Sequence, residues 1–146
     1  MRVLGIDFGD RTIGLALSDA LRLTAQPFGT YRLEGREEDD RKFFRDLVAR
    51  HDVGEIVVGL PLRMDGTPGT RAEKTRQFAT WLERTVGLPV LFWDERLTTR
   101  EAQSVLKEQN VRGAKKKAAE DQVSAVIILS AYLERKRSES DAAPDR

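Results

Sequence analysis

No cysteine occurs in this chain, and only one histidine does. The first absence excludes disulfides, thiolate–zinc sites and a cysteine nucleophile. The second excludes a histidine-rich zinc site. His51 ends a predicted helix and reads as a charge favourable to that helix's C-terminus rather than as a catalyst. Any metal binding therefore falls to carboxylates, which points to Mg2+ or Mn2+. No apolar run approaches the length of a membrane span, and Met1 leads directly into a strand with no signal peptide ahead of it. The expectation is a cytoplasmic protein with no membrane partner. An excess of either charge is also missing: the net charge is +1, so only its local distribution is informative.

At 146 residues the chain is one domain's worth, enough to bury roughly two thirds of its unfolded surface. Its most informative stretch is the first nineteen residues, Met1 to Asp19. Val3 to Phe8 alternates as a strand with Leu4, Ile6 and Phe8 on one face. Thr12 to Ser18 alternates as a second, with Ile13, Leu15 and Leu17 together. Gly9-Asp10-Arg11 can close them into a hairpin. Asp7 does not fit a merely structural strand, because an ionised carboxylate within an apolar run is costly unless something positive meets it. An aspartate satisfied by turn amides, a metal ligand on a central strand and the phosphate-binding hairpin of an actin-like ATPase all remain open here.

Further along, Phe28 to Leu33 reads as a short, partly polar third strand and Glu37 to His51 as a helix with Phe43, Phe44, Leu47 and Val48 inward. Glu55 to Gly59 is a continuous apolar strand of the parallel type. A long loop, Leu60 to Gly69, follows it, where α/β proteins place ligands. Thr70-Arg-Ala-Glu73 reads as a capping box opening a helix with Phe78, Ala79, Leu82 and Val86 as its apolar stripe and Trp81 in the core. Pro89 to Trp93 reads as a buried-type strand, with Trp93 either core or a base-stacking surface. A second capping box at Thr98 to Glu101 starts a helix to about Glu108. Gln109 to Lys117 reads as a mobile basic loop. A last helix runs from Ala118 to about Arg135 with Val123, Val126, Ile127 and Ser130 on one side, while Asp121 shares a face with Ala125, Ile128 and Tyr132. A single domain over 1–137 and a disordered tail over 138–146 are expected.

Three strands, then strands reached by right-handed helical crossovers, give an α/β chain: a mixed five-stranded sheet with helices on both faces, the ribonuclease H-like fold. If the last strand lies near the first, Asp7, Glu95 just past that last strand and Asp121 in the first turn of the last helix meet at one edge. Each has an ordinary alternative: Glu95 paired with Arg96 or Arg100, Asp121 favoured by the helix dipole. Three carboxylates together repel one another unless divalent cations neutralise them. Two such ions would clamp the attacking water and the leaving oxygen of a phosphodiester.

The segments Gly5-Ile-Asp-Phe-Gly9, Gly59-Leu-Pro61, Met64-Asp-Gly-Thr67, Asp94-Glu-Arg-Leu-Thr-Thr99 and the Asp121 to Leu133 helix together resemble the YqgF/RuvX family. These are Holliday-junction-resolvase-like proteins, also described as nucleases that mature the ends of pre-16S ribosomal RNA. The resemblance runs from Val3 to about Leu133. It implies a ribonuclease H-like nuclease whose acidic triad binds Mg2+ or Mn2+ and maps to Asp7, Glu95 and Asp121. Where the related RuvC resolvases carry a carboxylate after the fourth strand, this chain has Leu60-Pro61, so the second acid comes from Asp94-Glu95. Adjacent strand residues point to opposite faces. The apolar pattern does not choose between these two, but the longer reach of glutamate and the resemblance both favour Glu95.

Nucleic-acid contacts are expected from Arg71 and Lys74 at the long loop's exit, from Arg96, and from Arg112 with Lys115, Lys116 and Lys117 before the last helix. The partner is structured or single-stranded RNA or branched DNA, and a two-fold branched substrate would suit a homodimer. Two competing readings are an ATP-binding domain of the actin type, which needs a second such domain, and a non-catalytic nucleic-acid-binding module, for which three clustered acids would be unfavourable.

Overall fold

The computed structural model describes residues 1–33, 35–98 and 114–142, with side chains of the last stretch described over 122–140. Five strands, β1 (Arg2–Phe8), β2 (Thr12–Ser18), β3 (Ala25–Arg32), β4 (Val53–Leu60) and β5 (Val90–Asp94), form one sheet in the order β3-β2-β1-β4-β5. The hairpin strands β1, β2 and β3 pair antiparallel, and β4 and β5 run parallel to β1. Helices α1 (Glu37–Arg50) and α2 (Thr70–Val86) supply the crossovers, a 3-10 turn (Glu95–Leu97) follows β5, and α3 (Ala114–Ala142) closes the fold. The expected mixed sheet with helices on both faces is what forms.

Alternation along β1 divides the core. Leu4 and Ile6 face α1 and α2 with Ile13, Leu15, Ile56 and Val58, around a fully buried Phe44. There Phe8 stacks on Phe78 at 4.5 Å, and half-buried Trp81 packs edge-on against Phe44 and donates from Nε1 to Glu37. Val3, Val57 and Trp93 face the other way, onto Ala125, Ile128, Leu129, Tyr132 and Leu133 of α3. Trp93 is thus core, its Nε1 donating to Thr98 Oγ1 at 3.2 Å. Two glycines permit this second layer to close. A β-carbon on Gly5 would stand 2.7 Å from Leu129 Cβ, and one on Gly59 would stand 2.5 Å from Ile128 Cδ1. At Gly5 the clash is with the root of a helical side chain, so its absent side chain fixes how close α3 approaches the sheet, whereas at Gly59 the terminal methyl of Ile128 would have to turn aside.

Several expectations need correction. β5 is not a fully covered strand and not next to β1. It is the sheet's edge, separated from β1 by β4, with Leu91 37% and Phe92 42% exposed. Thr70 is the first helical residue rather than the cap: extended Gly69 caps α2 with no side-chain bond, and Glu73 pairs with Arg76 instead. α3 starts before Ala118 and continues past Ser138 to Ala142, with an Arg135–Glu139 pair one turn apart. Lys115, Lys116 and Lys117 therefore lie in its first turn and not in a loop. Ala125, Ile128 and Tyr132 are buried as a face, and of the other expected stripe Ile127 is buried while Ser130 is exposed. The helix expected up to Glu108, and its capping box beyond Thr98, lie outside the described residues.

Candidate active site at the carboxyl edge of the sheet

Asp7 stands near the carboxyl end of β1, opposite Gly14 of β2, on the face that Val3 and Gly5 present to α3. Phe8 follows it onto the other face, so the hairpin's alternation assigns the acid and the aromatic to opposite layers. β4 pairs with β5 through Gly59↔Trp93 and Leu60↔Asp94, which sets the residue after Asp94 level with the end of β4. Glu95 opens the 3-10 turn there and turns its side chain back over Gly59. Its carboxyl carbon lies 3.2 Å from where a Gly59 β-carbon would be. The missing side chain on β4 is what allows an acid on the edge strand to reach toward β1.

The electrostatics follow from that placement. Burial first and then the nearby Asp7 charge, with a smaller repulsion from Asp94 and against the opposing charge of Arg71, push the Glu95 carboxyl up to about 7. Two carboxyl groups are thus brought within each other's field in a partly dehydrated place, and Arg71, at the start of α2, is the cation facing them. The arrangement can hold one proton or a cation between acids, and it offers oxygen donors only.

Asp94 has a different occupation. Its Oδ1 accepts from the Arg96 backbone N–H at 3.0 Å, capping the 3-10 turn, and its two oxygens accept from Arg96 Nε at 3.1 Å and Nη2 at 2.7 Å. The guanidinium holds the Asp94 carboxyl below the usual range. Arg96, expected as a phosphate contact, is committed here to Asp94 and to the Met64 carbonyl at 3.3 Å. No sequence signal marked that second partner, because it depends on the long loop folding back.

Lys74 is exposed on α2 and lines, with Phe8, Asp10, Gln77 and Phe78, a cavity of about 530 Å³ on the opposite layer from Asp7. α3 carries Asp121 one turn ahead of Ala125, whose carbonyl oxygen lies 3.2 Å from the position of a Gly5 β-carbon. The Asp121 side chain and all of Arg112 lie outside the described residues, as do the side chains of Lys115, Lys116 and Lys117. Among the described residues no three metal-ligating side chains cluster, and no helix is long and apolar enough to cross a membrane.

The chain is similar to several curated relatives named "Putative pre-16S rRNA nuclease". That of Lachnospira eligens is 48% identical, over 94% of this chain and 99% of its own length, and that of Koribacter versatilis 47%, over 92% and 88%. Among solved structures, Thermus thermophilus RuvC superposes with a TM-score of 0.59 at 12% identity, covering 94% of this chain and 97% of RuvC. RuvC of the same species in complex with a Holliday junction substrate gives 0.57 at 14%, covering 94% and 96%. Identity that low shows the shared ribonuclease H-like fold and nothing finer. The RuvX family model, described as Holliday junction resolvase, matches residues 1–135, and with relatives this similar along nearly their whole length the chain belongs to the RuvX family.

Proposed function

We propose that this protein is a divalent-metal-dependent endonuclease that hydrolyses phosphodiester bonds in the 5′-end maturation of pre-16S rRNA, working in the cytoplasm. One observation carries the reading: Asp7 and Glu95 share one face at the carboxyl edge of the sheet, close enough that the Asp7 charge helps hold the Glu95 carboxyl up at about 7. Mutual repulsion of this kind is a cost unless a cation relieves it. The donor chemistry fits Mg2+ or Mn2+, since only oxygens are offered and the chain has no cysteine.

Asp7, Glu95 and Asp121 would hold the metal, Asp121 coming from the α3 face that Gly5 admits. A pair of ions so held supplies polarisation of the scissile phosphate and a water made nucleophilic at neutral pH. The chain's own residues do the rest. Glu95, partly protonated near neutral pH without a cation, would release its proton to solvent on taking one up. Arg71 faces the acids as a cation able to meet the phosphate's non-bridging oxygens. Lys115 to Lys117, on the first turn of α3, and Arg112 before it extend the basic track along which the strand is held, whereas Lys74 lies on the other layer and is left out of it.

Cleavage of branched DNA is the second reading, favoured by the family's description, and would call for a homodimer. Purified protein is given labelled pre-16S rRNA and four-way DNA junctions, with Mn2+ or Mg2+ and then with excess chelator. Metal-dependent cutting of the RNA, lost in Asp7→Asn, is expected. Cutting of the junction alone selects the second reading, and full activity in chelator overturns the metal mechanism.

A further inference from the structure

The loop Leu60 to Gly69 is a folded unit rather than a slack connection. Asp65 Oδ1 accepts from the Thr67 backbone N–H at 2.9 Å and from its hydroxyl at 2.6 Å. Arg63 N–H donates to the Thr67 carbonyl at 3.0 Å and Gly66 N–H to the Arg63 carbonyl at 2.8 Å. Gly66 sits at φ +90°, in the left-handed region that glycine tolerates. From outside the loop Arg96 bonds to it: its Nη1 donates to the Met64 carbonyl and lies 3.3 Å from where a Gly66 β-carbon would stand. The same guanidinium is forked onto Asp94, immediately before Glu95.

We propose that Arg96 is a positioning residue: by bridging Asp94 to the Met64 carbonyl, it couples the folded state of the 60–69 loop to the placement of Glu95. The planar fork matters, because two parallel bonds to one carboxylate fix the direction in which the third nitrogen reaches, which a lysine cannot do. The loop presents Met64, 87% exposed, whose carbonyl the clamp holds. A strand seated against the loop would thus be sensed at Glu95 through a single rigid group. Gly66 is required on this account by both its φ and the guanidinium against it. The inference rests on the nuclease reading for what Glu95 does, though the clamp is a feature of the protein itself.

The test compares Arg96→Gln and Arg96→Lys with Arg71→Gln in the full chain. Amide exchange is read first, without substrate: in Arg96→Gln the protected Arg63, Gly66 and Thr67 amides should exchange at least about tenfold faster while β1 and β4 keep their protection. Cleavage is read second. Displacing Glu95 should lower kcat about 100-fold, raise the Mn2+ concentration for half-maximal rate, and leave KM and the salt dependence of RNA binding unchanged, with Arg96→Lys no better. Arg71→Gln should instead raise KM and flatten the salt dependence. Unchanged loop exchange overturns the clamp. A changed KM and salt slope at constant kcat makes Arg96 a phosphate contact and overturns it too. Accelerated loop exchange in a protein that cuts neither RNA nor DNA keeps the clamp and removes the nuclease reading.

Discussion

At the amino end of β4, Glu55 accepts a hydrogen bond from the Tyr132 hydroxyl at 2.5 Å and lies 3.9 Å from the Arg22 guanidinium. At the carboxyl end of the same strand, the Glu95 carboxyl lies over Gly59 within the field of Asp7. Both glutamates lie on the α3 side of β4, Glu95 reaching over it from the turn after β5, and both are partly buried, yet one has a donor and a cation while the other meets a second acid as well as Arg71. The partnered acid joins α3 to the sheet; burial and Glu55 in turn hold the Tyr132 hydroxyl above its usual ionisation range. The crowded acid, once ionised, costs stability in the metal-free protein. An arrangement that costs stability at one end of a strand, when the other end shows how the cost is avoided, points to chemistry.

The comparison breaks most sharply at the crowded end. Glu95→Gln should lower cleavage by about three orders of magnitude, the several kcal/mol that a metal clamp supplies, at unchanged or slightly raised Tm. Asp94→Asn should chiefly lower Tm. Turnover by Glu95→Gln alongside an inactive, stable Asp94→Asn would reverse the assignment of the two neighbours.

Next in size is a pH effect. Folded Glu95 holds its proton up to about 7 against 4.5 in its ordinary state, so the folded form binds the proton more tightly than the unfolded chain does. Its contribution is fully present below pH 4.5 and is lost as pH rises through 7, about 3 kcal/mol in all. Urea unfolding in chelator at pH 5 and pH 8 should show this loss, and both Glu95→Gln and saturating Mn2+ should abolish it. An equal loss in Glu95→Gln would trace it to another group.

The partnered end should behave in the opposite sense. Tyr132→Phe removes a hydrogen bond to a charged acceptor and should cost about 1.5–3 kcal/mol in chemical denaturation, with cleavage within about twofold of wild type. Loss of activity at full stability would show that the two ends of β4 are coupled. The smallest effect concerns the start of α3. Alanine at Lys115, Lys116 and Lys117 should flatten the salt dependence of single-strand binding by roughly 0.7 log units per lost contact, and an unchanged slope would leave the lysines a solvated face.

How far the sequence spoke differs from residue to residue, for physical reasons. The hairpin and Asp7 were legible because a period of two assigns faces outright, and five strands with two crossovers left few topologies. Glu95 over Asp94 rests on reach and resemblance, since both sides of β5 are apolar; that the Glu95 carboxyl lies over Gly59 while Asp94 is taken up by Arg96 could not be read from the sequence. β5 looked buried because an apolar edge strand and an apolar central strand read alike. The lysines read as loop because a glycine and a polar run precede them, whereas the helix begins at Ala114. The Arg96 clamp was invisible because it joins segments whose meeting depends on the fold of a loop.

Gly5 and Gly59 act as a spacer of zero thickness between the sheet and the helix that carries the third acid. The separation of the three proposed ligands, on β1, just past β5 and on α3, is then gauged by how closely the helix approaches the sheet far more than by the carboxylates themselves. A designer wishing to widen the site for a larger ion would leave the carboxylates alone and begin there. Alanine at Gly59 would crowd the Ile128 side chain and the Glu95 carboxyl together, while alanine at Gly5 would press on α3 itself.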